Sequence, residues 1–481
     1  MPLVRDLGIQ VKGLDGAGVA LPAPLLDHFR RGLSGTVAFP GDGTDARAVR
    51  VWNGMVQKRP AMVVQATDSS DVQRTVELCA EHGLELSVKG GGHNIAGLAL
   101  SDGGLTLDLS GMNHVEVDLD SGLVSVGPGC RLGDVDRATQ PYGLAATLGF
   151  VSETGIGGLT LGGGFGYLTR RFGWTVDDLE QVEIVTADAN LRHASRGQYE
   201  DVFWAIRGGG GNFGVVTDFV FRLHQVGPEV TAGAIAWPAS QAEGVLDLFR
   251  EVTASAPPQL TLAAIMRNAP PAAWLPVASH GSPIIALVVC HSGPPAQAEA
   301  DLKPLRSHGR PLADVVLVKD YLVQQSMFDG TPPPGLHYYW KSEFLATLDD
   351  ALLETCLAQQ DGNSSPANQI TVFHVGGALN SRPADDGAVG NRDTTHVCIV
   401  QASWPEHDPA GDSRRQWARA AWESIRPHST GGNYVNFQTE DEPADRIHLS
   451  YRDNYRRLAA VKARYDPTNL FRVNRNIPPA V

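Results

Sequence analysis

The sequence predicts an α+β fold of two lobes, with a C-terminal segment that returns to the first lobe. From about Pro60 to Val226, short β-rich runs alternate with helical runs, and glycine-rich stretches lie between them. After Gly227-Pro228 the glycine runs stop, proline clusters appear, and apolar strand-like pieces alternate with amphipathic pieces. From Gly431 onwards glycine, asparagine and aromatic residues return.

The first lobe begins with a strand, a helix and a second strand. Apolar side chains at i, i+4 and i+7 from Val72 form one face of the helix. Asp71 is the expected N-cap of this helix and Gly83 its expected stop. Residues 115–126 alternate apolar and polar side chains around an Asp-Ser-Gly turn, which predicts a β-hairpin.

The chain divides into three parts. Residues 1–228 form the first lobe, with its core in 56–226, and residues 229–430 form the second. In the second lobe, pieces such as IIALVVC and HVCIVQASW are separated by DDALLETCLAQQ, which predicts an antiparallel sheet backed by helices. Residues 431–481 include a helix, DNYRRLAAVKARYD, that is stopped by Asp466-Pro467. We expect this segment to complete the first lobe.

The composition favours a soluble protein of the cytoplasm with a small-molecule partner. The net charge is −14 and there is no stripe of basic residues, so we expect neither nucleic acid nor a membrane surface as the partner. The five cysteines show no CxxC spacing, so we expect no disulfide framework and no metal site. We recognise no signal peptide and no apolar run long enough to span a membrane.

Two glycine-rich runs in the first lobe point to a phosphate-binding function. The first, KGGGHN at residues 89–94, follows a predicted strand, and its N–H groups can approach a diphosphate without a Cβ in the way. Alone this signal is weak, because a histidine after glycines is more often an ordinary loop residue. The second run, residues 154–166, lacks the Lys-Ser/Thr ending of a Walker loop, which disfavours nucleotide hydrolysis. A crossing of closely packed backbones is its alternative interpretation.

The third run, GGGGNFGVV at residues 208–216, contains the dinucleotide pattern GxGxxG at Gly209, Gly211 and Gly214. A Rossmann fingerprint must follow a strand and open a helix. This run follows the helix-like FWAIR and enters the strand-like VVTDFVF, so we reject a Rossmann site for NAD.

As an ordered set, the motifs KGGGHN, TGIGGLTLGGGFGYL, DVFWAIRGGGGNFGVVTDF, YVNF and YDPTNLFRVNRNIPP resemble those of vanillyl-alcohol-oxidase-type (PCMH-type) flavoproteins, and more narrowly the berberine-bridge-enzyme-like branch. The resemblance implies an FAD-binding domain of two α/β subdomains and a substrate domain whose sheet covers the isoalloxazine ring. It also implies that FAD is joined covalently to His93 through the flavin 8α-methyl group. The residues that it places at the cofactor are Lys89, Gly90, Gly91, Gly92, His93, Asn94, Gly97, Thr154, Gly155, Gly158, Gly162, Gly163, Gly214, Val215, Val216, Tyr434, Asn436 and Asn474.

Many members of this branch attach the flavin a second time, through a cysteine just before the second glycine run. Val151 stands at the matching position, so we expect one covalent link. Cys130 lies off that motif and is expected to be a small buried residue. Single attachment resembles bacterial members that oxidise alkaloids, hydroxylated aromatics or natural-product intermediates, and a sugar or alcohol is the weaker choice.

The chemistry that the resemblance implies is hydride transfer from a small organic substrate to the flavin, followed by reoxidation with O2. This chemistry makes the chain an FAD-dependent oxidase. A flavin dehydrogenase that uses another electron acceptor and an inactive flavin-binding protein stay open as alternatives. The oligomeric state stays open as well.

The catalytic candidates in the C-terminal part and the second glycine run are Tyr434, Asn436 and Thr154. The first two share one face of a predicted strand, because its side chains alternate with a period of two. Thr154 is expected near the flavin, where its hydroxyl could help to position oxygen. Some relatives carry a tyrosine base where this chain has Phe437, and others an acid where it has Thr371, so neither role transfers.

The remaining candidates for a base are Lys341, which shares a strand face with Tyr339, and His374. A buried lysine loses its proton more readily, because desolvation disfavours the charged form. The alternatives are a surface ion pair for the lysine and an ordinary core residue for the histidine.

Overall fold

The computed structural model describes residues 8–41, 49–331, 333–363 and 365–480. Predictions that fall on the first seven residues or on Pro332 lie outside these ranges. Among the described residues, three larger sheets of four, five and eight strands make up the architecture. The fold class predicted from the sequence, α+β, is confirmed, because mixed and antiparallel sheets pack against separate helices.

The first large sheet has four strands, and its three neighbours Met62–Gln65, Leu105–Asp108 and Leu86–Lys89 run parallel. Thr36–Ala38 adds an antiparallel edge. The helix Ser69–His82 packs its apolar face on this sheet. Other elements of this part are the strands Ile9–Lys12 and Gly18–Leu21 and the helix Ala23–Arg31.

The start of the helix Ser69–His82 corrects the predicted N-cap. Asp68, not Asp71, is the cap, and its carboxylate accepts a hydrogen bond from the Asp71 N–H at 2.9 Å. Asp71 is buried in the first turn, where its carboxylate accepts from the N–H groups of Ser34 and Gly35 at 2.8 and 2.9 Å. Gly83 ends the helix in the left-handed conformation at φ 60°, as predicted.

The second large sheet has five antiparallel strands. In spatial order they are Leu191–Ser195, Leu179–Val185, Val215–Arg222, Leu123–Val126 and Val115–Asp118. The last two form the predicted hairpin. The helices of this lobe are Leu132–Thr139, Ile156–Leu161, Thr169–Phe172 and Glu200–Ile206, and the short strands Leu144–Ala145 and His224–Gln225 pair beside them.

The third large sheet has eight antiparallel strands. Its strands are Glu229–Pro238, Leu260–Asn268, Pro283–His291, Ala313–Asp314, Leu317–Asp320, His337–Leu345, Gln369–His374 and His396–Trp404. One face packs against helices, and the opposite face looks towards the first lobe. The helices are Ala242–Ser255, Pro295–Arg306, Asp350–Asp361 and Gly411–Ile425, with Tyr321–Gln325 at one end.

The C-terminal segment packs on the five-stranded sheet. Its helices are Ala444–Tyr451 and Asn454–Tyr465. Leu458 and Tyr465 of the second helix share a core with Phe203 and Phe213 of the first lobe. No helix within the described ranges is long and apolar enough to cross a membrane.

Candidate active site

A cavity of about 350 Å³ lies where the three large sheets meet. Its walls come from all three glycine-rich runs, from the C-terminal turn at residues 434–437, and from the inner face of the eight-stranded sheet. This volume falls in the range of about 300–1,000 Å³ that is usual for small-molecule sites. The cavity therefore joins in space the segments that are separate in the sequence.

His93 lies in the cavity wall on the loop that follows the strand Leu86–Lys89. Its ring stacks on Trp52, with ring centres 5.8 Å apart. Burial and the nearby positive charge of Arg131 lower the pKa of His93 to about 4, against the opposing effects of a hydrogen bond to the Glu153 backbone and of Asp329. The imidazole is therefore neutral at ordinary pH.

Of the other residues predicted at the first run, some line the cavity and others lie behind its wall. Gly90, Gly91, Gly92 and Asn94 line the cavity. Lys89 does not, because its ammonium is buried in an ion pair with Asp108 at 2.8 Å. Gly97 also lies behind the wall, where it turns at φ +68° and its carbonyl accepts from Lys58 at 3.1 Å. The structure thus places Lys89 and Gly97 behind the glycine loop at residues 90–94, not at the cavity.

In the second run, some glycines serve a crossing of closely packed backbones and others line the cavity, so both interpretations of this run apply. Gly91 and Gly155 approach so closely that a Cβ on Gly91 would lie 2.5 Å from the Gly155 nitrogen, so these glycines serve a backbone crossing. Gly158 also lines the cavity, but a Cβ there would meet nothing within 4 Å. Gly162 and Gly163 lie outside the cavity wall, and Gly162 packs on the side chain of Asn436. Thr154 and Val151 line the cavity.

The third run lies between the helix Glu200–Ile206 and the strand Val215–Arg222, which is the reverse of a Rossmann fingerprint. A Cβ on Gly214 would lie 2.5 Å from the Val185 carbonyl oxygen, and Gly209 packs against Ala205. Packing therefore explains two of the three pattern glycines. The residues of this region that line the cavity include Gly210, Gly211, Gly214, Val215, Val216 and Asn474, and the Asn474 amide donates to the Gly211 carbonyl at 3.0 Å.

Tyr434 and Asn436 both line the cavity, but the predicted strand that carries them is wrong. The segment is a 3₁₀ turn at Val435–Phe437, in which the Asn436 amide donates to the Tyr434 hydroxyl at 2.9 Å. The Gly164 N–H donates to the same hydroxyl at 3.1 Å. Burial raises the pKa of Tyr434 well above its usual value, so the phenol stays protonated.

The inner face of the eight-stranded sheet supplies residues that the sequence interpretation missed. Gln369 and Thr371 face the cavity from one strand and Gln401 from the next, and the Gln369 amide donates to the Gln401 carbonyl oxygen. Thr371 was singled out from the sequence, and the period of two would have found Gln369 on the same face. Aromatic side chains surround these amides; they are Phe150, Phe165, Trp340, Phe373 and Phe437.

Lys341 and Tyr339, the candidates for assisting deprotonation, lie outside the cavity wall. Trp340 faces the cavity, so its neighbours on the strand point to the opposite face. Burial alone would lower the pKa of Lys341, but Glu442, Tyr339 and Asp441 outweigh burial and raise it. The ammonium donates to Glu442 at 2.8 Å.

His374 also lies outside the cavity wall, which agrees with the alternative that it is an ordinary core residue. Its ring stacks on His396, with ring centres 4.9 Å apart. Burial and the charge of Arg170 lower its pKa far below the usual range.

The residues that line the cavity suit a dinucleotide. Gly158 and Gly210 border it with bare backbone where a side chain would occupy the space. The buried hydroxyl of Tyr451 lines it without a hydrogen-bond partner among the described residues. Bare backbone and unpaired donors of this kind suit the phosphates and hydroxyls of FAD.

Comparison with known proteins identifies the family. Residues 60–195 match the FAD binding domain, and residues 433–478 match the domain described as berberine and berberine like. (R)-6-Hydroxynicotine oxidase of Paenarthrobacter nicotinovorans is 31% identical over 462 residues, which cover 93% of this chain and 97% of that enzyme. The chain belongs to the berberine-bridge-enzyme-like family of FAD-linked oxidases.

Other relatives agree with this assignment. An FAD-linked oxidoreductase of Dictyostelium discoideum is 29% identical over 459 residues, 95% of this chain and 97% of that protein. The crystal structure of 6-hydroxy-D-nicotine oxidase from Arthrobacter nicotinovorans superposes with a TM-score of 0.81 at 28% identity, over 93% of this chain and 98% of that one. BBE-like 1 of Physcomitrella patens, at 24% identity and a TM-score of 0.85 over 95% and 99%, shares the fold. The chain is thus an FAD-dependent oxidase.

Proposed function

We propose that this oxidase carries FAD on a single covalent bond from His93 and oxidises a small aromatic substrate, with O2 as the electron acceptor. The observation that carries the proposal is the neutral imidazole of His93 in the wall of the cavity that fits FAD. An alkaloid, a hydroxylated aromatic compound or a natural-product intermediate is the substrate class.

The single link follows from the side chains near the second run. The imidazole of His93 is neutral, so one ring nitrogen carries no proton and is able to react. Val151 lines the same cavity without a nucleophilic atom. The buried thiol of Cys130 donates to the His114 carbonyl at 3.2 Å, and burial raises its pKa to about 12, so it is not a reactive thiolate.

When bound, FAD supplies the redox chemistry, taking a hydride from the substrate and passing the electrons to O2. The chain's own contribution is to orient the substrate. Because the Tyr434 hydroxyl accepts hydrogen bonds from Gly164 and Asn436, its own hydrogen is left to donate to a substrate oxygen or nitrogen. Asn436 thereby orients Tyr434. We assign the positioning of O2 to the Thr154 hydroxyl, which lines the same cavity.

The inner face of the eight-stranded sheet supports an aromatic substrate. Trp340, Phe373 and Phe437 offer ring faces and edges, and aromatic pairs gain about 0.5–1.5 kcal/mol beyond their buried area. The amides of Gln369 and Gln401 offer donors and acceptors to a hydroxyl or ring nitrogen. The same amides also suit a sugar hydroxyl, so a sugar oxidase is the second candidate.

The test of the substrate class is anaerobic bleaching of the flavin by a panel of aromatic amines, phenols and oligosaccharides. We expect an aromatic compound to bleach the flavin and admitted air to restore the colour. Bleaching by sugars alone would favour the second candidate. Bleached flavin that stays colourless in air would favour a dehydrogenase.

The test of the covalent link is denaturation. The wild-type chain should retain yellow, fluorescent flavin in denaturant, with the flavin on the peptide that contains His93. His93→Ala should release its flavin on denaturation. Flavin lost from the wild-type chain, or found on a cysteine peptide, would show that the single-link proposal is wrong.

A further inference from the structure

A group of buried charges lies on the helix-covered face of the eight-stranded sheet, outside the cavity. We call it the charge cluster; its members are Lys341, Glu343, Glu442 and Arg446, with side chains 1–3% exposed. The Lys341 ammonium donates to Glu442 at 2.8 Å. Arg446 pairs with both Glu343 and Glu442. The cluster joins a strand of the substrate lobe to the C-terminal segment.

Stability alone does not explain this cluster. Moving ions out of water is costly, and well-packed apolar residues often stabilise a buried site as well or better. A buried ion pair does, however, accept only a narrow geometry, because removing either partner leaves an unpaired charge. Fixing the position of the segment that it joins is therefore a role consistent with the cluster.

A chain of hydrogen bonds leads from the cluster to the cavity. Glu442, bound by Lys341 through one oxygen, accepts a hydrogen bond at 2.9 Å from the Asn433 amide through the other. The Asn433 carbonyl oxygen in turn accepts from the Gln438 amide at 2.8 Å. Asn433 and Gln438 thus bracket the cavity-lining turn at residues 434–437.

We propose that Lys341 is a positioning residue: through Glu442 and Asn433 it fixes the turn at residues 434–437 against the bound flavin and substrate. The proposal rests on the proposed function in so far as Tyr434 is taken to orient the substrate. Lys341 itself touches neither the cavity nor the reacting atoms. It acts through the chain of hydrogen bonds, which holds both ends of the turn in one arrangement.

The experiment compares Lys341→Met, Lys341→Arg and Glu442→Gln with the wild-type holoenzyme. Two readouts are the visible circular dichroism of bound FAD and the rate of flavin reduction at saturating substrate. We expect Lys341→Met and Glu442→Gln to alter the spectrum and to slow reduction by about tenfold to a hundredfold, the effect of a misplaced group. Lys341→Arg keeps the charge and should restore much of the rate.

The pH profile and a double variant separate positioning from base catalysis. Loss of a general base would remove its inflection from the pH dependence of reduction. We expect Lys341→Met to keep the wild-type inflection. The slowing in the double variant Lys341→Met/Glu442→Gln should be smaller than the two single effects combined, because both changes break the Lys341–Glu442 contact.

His291→Leu is the matched control, since it removes the 3.0 Å contact between buried His291, on another strand of the same sheet, and Asp301 of the helix Pro295–Arg306. A wild-type spectrum and rate in Lys341→Met would overturn the proposal. So would an equal change in His291→Leu, which would trace the effect to general destabilisation. If Lys341→Met does not fold, Lys341→Arg and Glu442→Gln carry the test. If no substrate reduces the wild-type flavin, the proposed function fails, while the spectra still decide the positioning role.

Discussion

His93 combines a half-buried imidazole with the nearby positive charge of Arg131, and desolvation and this charge lower its pKa to about 4. An unprotonated imidazole is the form that can act as a nucleophile. We therefore expect apoprotein mixed with FAD to form the covalent bond at a constant rate near neutral pH and more slowly as the pH falls towards 4. Flavin fluorescence of the denatured protein, sampled over time at each pH, measures this rate.

Arg131→Ala provides the control for this pH dependence. Removing a positive charge makes protonation of His93 easier, so the fall in rate should begin at a higher pH in this variant. A wild-type rate that already falls near pH 6.5, the usual value for histidine, would contradict the assigned environment of His93.

Gly91 and Gly158 show that glycines in neighbouring runs have different roles. A Cβ on Gly91 would lie 2.5 Å from the Gly155 nitrogen, whereas one on Gly158 would enter the open cavity. We expect Gly91→Ala to lower the free energy of unfolding of the apoprotein, and Gly158→Ala to leave it unchanged or slightly higher while weakening FAD binding. Urea unfolding and FAD titration measure the two effects. Equal destabilisation by both variants would contradict this assignment.

At the scale of the strand His337–Leu345, the sequence establishes which side chains share a face but not which face meets the cavity. The period of two correctly predicts that Lys341 and Tyr339 share one face of the strand. Only the packing of the whole sheet shows that Trp340, on the other face, points into the cavity. Lys341 donates to Asp441 and Glu442, which lie about a hundred residues away in the sequence. No local pattern in the sequence reveals these partners.

The turn at residues 434–437 shows a different limit. The family motif points to its two cavity-lining side chains, Tyr434 and Asn436, although the sequence predicts a strand there. Three residues are too few for a periodic pattern to separate a strand from a 3₁₀ turn. The cavity-lining residues supplied by motifs were thus easier to predict than Gln369 and Gln401, which belong to no motif.

The element that carries GxGxxG gives a prediction about cofactor choice. The run passes from a helix to a strand, and packing explains Gly209 and Gly214. We expect neither NADH nor NADPH to bleach the flavin anaerobically, because no nicotinamide site is formed by these residues. Substrate-driven bleaching of the same sample serves as the positive control. Rapid bleaching by either nucleotide would revive a nicotinamide site.

At the scale of the whole molecule, the cavity lies between lobes that are also joined by direct contacts. Asn53, only 3% exposed, makes one of these contacts. Its amide nitrogen donates to the carbonyl of Ile95 in the first lobe at 2.7 Å and to that of Tyr338 in the second at 3.1 Å. Its oxygen accepts from the Tyr338 N–H at 3.0 Å. Trp52 next to it stacks on the Tyr338 ring at 3.8 Å and on His93, so this junction reaches the proposed site of flavin attachment.

We expect Asn53→Ala to lower the free energy of unfolding by about 2 kcal/mol, because it leaves the buried N–H and carbonyl of Tyr338 without a partner on this side. Gln57→Ala is the matched control, since the Gln57 amide is exposed and makes one long contact, at 3.4 Å, within the same segment. Its effect should stay within about 0.5 kcal/mol. Urea unfolding of both apoproteins, followed by tryptophan fluorescence, measures the difference. If Asn53→Ala costs no more than Gln57→Ala, the hydrogen bonds of Asn53 to Tyr338 do not stabilise the junction beside His93.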